Sequence, residues 1–264
     1  MPSSAEIVAF FHRHLVPIVL HLQKETESHV QVITAFVLSV GEHWFLVTAG
    51  HCIRLIEELT TSGGYALEKT ELIDSMGINA KNNIPVPIDY FGAAPIALSG
   101  QPEYDYGIIK LSHHHVRLLK ASGVEPLNEE VWDKQPSQVD FYLMMGVPTQ
   151  YTKAESSNLA IQTFLVRVTA LDSRPEGFPE SNLPLFYGQV DLTEDLSSIR
   201  GMSGGPVLGF YKDKEGRLRY WLIALQSTTL PISGMIKACP TRILGLYLRN
   251  MLDQHEKQAV TEGE

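Results

Sequence analysis

The 264-residue sequence predicts an all-β protein with a helix at each end. Three observations carry this reading. From about residue 28 to 240 the chain breaks into short runs of β-branched, aromatic and other apolar residues, separated by Gly, Pro, Ser and Asn. Residues 241–254 instead place Ile243, Leu244, Tyr247, Leu248, Met251 and Leu252 at helical spacing, the apolar face of an amphipathic helix. At the other end Ile7, Phe10, Phe11 and Leu15 recur at that spacing, with Ser3 or Ser4 placed to cap the first turn.

Taken in order, residues 1–25 read as a helical extension ahead of the β-region. Residues 30–38 and 44–48 form the first strand pair, turning at Gly41-Glu42-His43. A helix is expected at 53–59. Further strands are expected at 85–90, 106–111, 139–145, 159–169, 185–190, 206–211 and 220–227, with Asp213-Lys214-Glu215-Gly216 as a hairpin turn. Ser122-Gly123-Val124-Glu125-Pro126 and Asp133-Lys134-Gln135-Pro136 are linker-like and put a boundary between two β-units near 121–136. The chain is thereby divided into the extension, β-units at 26–125 and 126–240, and a helix with a polar tail at 241–264. Short strands with regular turn signals specify a barrel or a sandwich.

Composition narrows the function classes. A net charge of −9 disfavours binding along a phosphate backbone. Arg200, Lys212, Arg217 and Arg219, with Tyr211, Tyr220 and Trp221 nearby, read as a solvated hairpin rather than a nucleic-acid surface. No stretch has the apolar length of a membrane span. The opening residues lack a basic segment, and His12, Arg13, His14 and His21 interrupt the apolar run at 10–22, so no signal peptide is expected. Cys52 and Cys239 fit two reduced thiols. These features point to a cytoplasmic protein without membrane or nucleic-acid partners. Adjacent histidines such as His113, His114 and His115 splay apart instead of converging on one ion, so no metal is expected.

Three segments carry chemistry. Gly201-Met202-Ser203-Gly204-Gly205-Pro206-Val207 offers a tight, exposed turn, where glycines admit a substrate backbone and N–H groups converge on a developing oxyanion. Thr48-Ala49-Gly50-His51-Cys52 places a histidine at a strand-to-helix turn, rigid yet open on one edge. Tyr104-Asp105-Tyr106-Gly107-Ile108-Ile109 puts one carboxylate just before an apolar strand. Buried beside a histidine, Asp105 would fix the imidazole tautomer and leave the other nitrogen free to take a serine proton.

Together these segments resemble the chymotrypsin-like serine proteases, in the same chain order of His, Asp and Ser. The resemblance implies two antiparallel six-stranded β-barrels with a cleft between them and a C-terminal helix. It implies a serine endopeptidase acting on protein or peptide substrates, with Ser203 as nucleophile, His51 as general base and acid, and Asp105 as orienting carboxylate. The oxyanion hole would be the N–H groups of Gly201 and Ser203, and no cofactor is required. Ser197, six residues before the nucleophile, would sit at the floor of the specificity pocket, with Asp195 close by. Leu225, Gln226 and Ser227 would supply an edge strand for the substrate backbone.

The sequence departs from the family's secreted zymogens. Met202 stands where they carry an acidic residue that pairs with a new N-terminal ammonium, so activation by insertion of a cut terminus is not expected. No cysteine precedes Cys52, so the family's disulfide at that position cannot form. A cytoplasmic protease left uncontrolled harms its own cell, which favours a regulatory protein partner or a scarce substrate. An α/β-hydrolase elbow needs an acid and then a histidine after the serine, and only His255, in the polar tail, follows Ser203. A protease-like fold serving as a regulatory or binding module remains the alternative.

Overall fold

The computed structural model describes residues 4–74, 85–98, 104–136, 138–155, 158–230 and 233–262; Ser3 and the last two residues of the tail lie outside them. The first half runs α1 (Ser4–His12), β1 (Ile18–Lys24), β2 (Glu27–Ile33), β3 (Phe36–Val40), β4 (His43–Ala49), α2 (Gly50–Thr61), β5 (Ala66–Leu72), β6 (Val86–Pro87), β7 (Ile96–Leu98) and β8 (Tyr106–Lys110). The connection carries α3 (His113–Ala121) and α4 (Glu129–Trp132). The second half runs β9 (Phe141–Gly146), β10 (Thr152–Glu155), β11 (Asn158–Ile161), β12 (Phe164–Ala170), β13 (Phe186–Val190), β14 (Pro206–Lys212), β15 (Leu218–Leu230) and β16 (Met235–Pro240), and α5 (Thr241–Glu262) ends it.

The second half closes into an antiparallel barrel in the order β12-β13-β16-β15-β14-β9. Alternation explains the closure. Met144, Val166, Val168, Val190, Val207, Ala224, Ile236 and Ala238 point inward from their strands and form one buried apolar cluster. Among the described residues β10 and β11 pair only with each other.

The first half differs from the expected second barrel. Among the described residues it is two four-stranded antiparallel sheets, β2-β1-β5-β6 and β3-β4-β8-β7, with an isolated bridge between Leu15 and Phe36. The expected single strand at 30–38 is broken at Thr34-Ala35, which passes the chain from one sheet to the other. The cause is a competing set of bonds. Thr34 Oγ1 donates to the Gly201 carbonyl at 2.8 Å and accepts from the Val147 N–H at 2.9 Å, while the Thr34 carbonyl accepts from Thr48 Oγ1 at 2.8 Å. Similarly, the expected strand at 159–169 is interrupted between β11 and β12.

The helical extension is shorter than expected. Among the described residues of the extension only 4–12 are helical, and residues 18–24 form β1, flanked by β2 and β5. Ile18, Val19, Leu20 and Leu22 are buried, and His21 reaches the Glu71 carboxylate at 3.0 Å. The helix packs across the seam, with the Phe11 ring 5.3 Å from Phe210 and 4.8 Å from Tyr220. Nor is 121–136 a free linker. Leu127 bridges to Leu38, and Trp132 is fully buried with Nε1–H donating to the Ser39 carbonyl at 3.0 Å. Gly245 of α5 faces that indole so closely that a Cβ would lie 2.3 Å from it. His113, His114 and His115 make the first turn of α3, capped by Ser112.

His14 fastens α1 to this connection. It is 2% exposed, beside the rings of Phe10, Phe11 and Tyr220. Nδ1 lies 2.7 Å from the Glu125 carbonyl and Nε2 lies 3.4 Å from Arg13 Nε, a pattern that suits the neutral ring. Burial pulls its pKa down to about 4, against the opposing pull of the Glu125 carbonyl. The unfolded chain therefore binds the extra proton between the ordinary value of 6.5 and about 4, and stability falls as pH drops through that window. The loss at pH 4 is roughly 3 kcal/mol. Calorimetry should show Tm falling between pH 7 and pH 4.5, and His14→Gln should flatten that fall; an equal fall in both proteins would assign the acid sensitivity elsewhere.

Candidate active site

Asp105 is placed by its own backbone before its side chain does anything. Its N–H points at Cys239 Sγ at 3.4 Å, and its carbonyl accepts from the Gly50 N–H at 3.0 Å. Helix α2 begins at that glycine, and its N-cap Ala49 has no side chain to offer the first turn. Asp105, the residue just before β8, fills that role. Oδ1 accepts from the His51 backbone N–H at 2.7 Å and from Arg54 Nη2 at 3.0 Å. Oδ2 accepts from His51 Nδ1 at 2.6 Å and from Ser227 Oγ at 2.8 Å. A helix N-terminus favours a carboxylate, so position and charge agree. Gly50 is required here because a Cβ would lie 2.9 Å from Asp105 Oδ1.

Two opposing effects act on each partner of the His51–Asp105 pair. Burial, the largest, disfavours both charges. The hydrogen bonds and mutual attraction overcome it, holding the Asp105 carboxyl below its ordinary value and raising the His51 imidazole above 6.5, with Cys52 adding to the rise. Asp105 is thus ionised, Nδ1 carries a proton, and Nε2 is left as the titrating nitrogen.

Ser203 lies in the turn between β13 and β14. Gly201 and Gly204 flank it with φ of +92° and +93°, values that favour glycine. Space imposes the same demand. A Cβ on Gly201 would lie 2.5 Å from Thr149 Oγ1, on Gly204 2.3 Å from Thr48 Oγ1, and on Gly205 2.0 Å from the Met145 carbonyl oxygen. Met202 is fully buried in the barrel's apolar cluster with Ile199 and Met144. Packing therefore anchors the turn, together with Gly204 N–H on the Gln226 carbonyl at 2.8 Å.

The Arg200 carbonyl accepts from the Thr149 N–H at 2.7 Å. A planar trans peptide then points the Gly201 N–H the opposite way. Neither that N–H nor the Ser203 N–H has a hydrogen-bond partner among the described residues.

His51, Asp105 and Ser203 line one open cleft of about 400 Å³, with Arg54, Ser227, Thr228, Thr229 and Lys237. The carboxylate–imidazole contact is made. The Ser203 hydroxyl instead donates to the Ser227 carbonyl at 3.2 Å, and it makes no hydrogen bond to His51.

The expected substrate contacts divide. Ser227 reaches the cleft, through its hydroxyl on Asp105. Ser197 is exposed outside it, donating to Gln150 Oε1 at 3.1 Å, and Asp195 is exposed beside it. Leu225 and Gln226 are fully buried. Leu225 pairs with Pro206 on one side and Cys239 on the other, and Gln226 exchanges backbone bonds with Gly204 and Gly205. The open edge of β15 starts later, at residues 228–230, where pairing with β14 has ended and, among the described residues, only β16 remains. Arg54 and Lys237 were not foreseen; for Arg54 a signal existed, since position i+3 from His51 shares its helix face.

No family model and no curated protein matches this sequence. Among solved structures the chain is similar to the scabies mite inactivated protease paralogue S-I1, at 16% identity over 97% of this chain and 98% of that one, with a TM-score of 0.54. The fold resembles that of the chymotrypsin-like serine proteases. Further likenesses are to the thermostable serine protease AL20 from an extremophilic microorganism (14% identity, 87% of this chain and 91% of that one, TM-score 0.47) and to protease Anisep from Arthrobacter nicotinovorans (12%, 86% and 90%, 0.45).

The close approach at Gly205 gives a direct check on the turn. Gly205→Ala must displace the β9 backbone and should cost roughly 2–4 kcal/mol in denaturant unfolding. Gly216→Ala meets open space at φ +75° and should cost only about 1 kcal/mol.

Proposed function

We propose that the chain is a serine endopeptidase, and that its two halves together form the chymotrypsin-like catalytic unit. The observation that carries this reading is the 2.6 Å contact of a buried carboxylate with His51, whose ring opens on the same cleft as Ser203. In this reading the Ser203 hydroxyl leaves the Ser227 carbonyl and donates to His51 Nε2 instead. The oxygen then attacks the substrate carbonyl carbon while Nε2 accepts its proton, and Asp105 stabilises the imidazolium. The new oxyanion is received by the N–H groups of Gly201 and Ser203. His51 returns the proton to the leaving amine, the peptide C–N bond breaks, and an acyl-Ser203 ester remains. Water repeats the sequence, releasing the acid and restoring the hydroxyl.

Apolar anchoring of Met202 supports a turn that is ordered without an inserted N-terminal ammonium. Substrate backbone would pair along the open edge at 228–230, by β-strand addition.

One observation favours a second reading, a binding or regulatory module with little turnover: the Ser203 hydroxyl is bonded to Ser227 rather than to His51. The similarity to a paralogue described as inactivated points the same way.

A fluorophosphonate probe separates the two. It should label the wild type and leave Ser203→Ala unlabelled; a folded wild type that resists labelling would favour the binding module. Asp105→Asn should lower kcat by about 10⁴-fold, through loss of the productive tautomer. Protonated His51 cannot act as a base and its pKa is raised, so the labelling rate should climb with pH along a limb centred above 6.5. A limb centred well below 6.5 would contradict the raised value.

A further inference from the structure

The cleft holds a cation that the proposed chemistry does not use. Its charged or titratable lining is His51, Arg54, Asp105 and Lys237. The first three are bound to one another: Asp105 accepts from His51 at 2.6 Å and from Arg54 at 3.0 Å. Lys237 is half-buried on β16, and among the described residues no carboxylate or carbonyl bonds its ammonium. The chain carries 30 acidic against 21 basic residues, so a basic spot facing the cleft does not follow from composition. An ammonium facing a cleft with no bonded counter-charge is a place where an anion can form a charge-assisted hydrogen bond.

The position of Lys237 indicates which anion. It lies opposite Thr228 in the β15–β16 register, so both side chains emerge on the same face of the sheet. Thr228 begins the open edge of β15. A peptide pairing there lies two strand spacings from β16, about 9.5 Å. An extended lysine and a substrate glutamate or aspartate span that distance between them. We infer that Lys237 is a specificity residue that takes the carboxylate of an acidic side chain on the N-terminal side of the scissile bond. The assignment of that side rests on the peptidase reading; the recognition of an acidic peptide does not.

Two measurements on the full chain test this. In the first, a proteome-derived peptide pool is cut by wild type, Lys237→Gln and Lys237→Glu, with Ser203→Ala as the blank and Tm as the folding control. Wild-type cuts should be enriched in Asp or Glu at one position before the scissile bond. Lys237→Glu should lower cutting at those sites about 10- to 100-fold, the worth of one charge-assisted bond, and shift preference toward Lys or Arg at that position. Lys237→Gln should lose the preference without the shift. Ser203-dependent cutting with no acidic preference, or with a preference unchanged in Lys237→Glu, overturns the inference and leaves the peptidase intact.

In the second, immobilised Ser203→Ala and Ser203→Ala/Lys237→Glu are offered a random nonapeptide pool. Selective retention of acidic peptides by the first protein alone supports the role of Lys237 even where no cutting depends on Ser203, a result that would sink the peptidase reading by itself. Equal retention by the two proteins overturns the inference.

Discussion

The Asp105 carboxylate is the interaction on which the rest of the site depends. It is nearly buried, and an isolated charge there would cost several kcal/mol. Donors on both oxygens offset that cost: a helix N-terminus, an imidazole, a guanidinium and a hydroxyl. Three of them come from α2 and the fourth from β15, so one side chain sets the axis of a helix, the plane of a ring and the position of a strand in the other half. Replacing it by an amide would keep the shape and lose the charge that the raised His51 pKa reports.

The serine is held by different means. Glycine geometry shapes its turn, and Met202 buries the turn's inner face. Thr34 and Thr48 then clamp it from the opposite half, through the Gly201 carbonyl and close packing on Gly204. Charge thus positions the imidazole, whereas packing and backbone bonds position the hydroxyl. The two arrangements meet at Ser227, which gives its hydroxyl to Asp105 and its carbonyl to Ser203.

The site was more legible in the sequence than the architecture around it. The His51, Asp105 and Ser203 segments are local patterns of turn glycines and flanking strands, and the structure brings all three to one cleft. What escaped reading was set by distant contacts. The strand at 30–38 breaks because Thr34 bonds to residues far along the chain, and no local propensity encodes that. In residues 18–24 only the second half alternates, because Ile18, Val19 and Leu20 are all buried, so the period of a strand is too short to read there. Trp132, in a stretch read as linker, is buried by α5. Leu225, read as part of an open edge, is instead paired on both sides, because strand pairing with β14, invisible in the sequence, runs as far as that residue.

The clamp at Thr34 has a consequence for how the molecule is divided. A piece ending before the connection at 121–136 would own the imidazole and its carboxylate, and the remaining piece would own the hydroxyl and the Gly201 and Ser203 amides. Neither inventory is sufficient, and the threonine that steadies the second lies in the first. Rejoining separately made fragments would therefore be needed to rebuild the shared cleft.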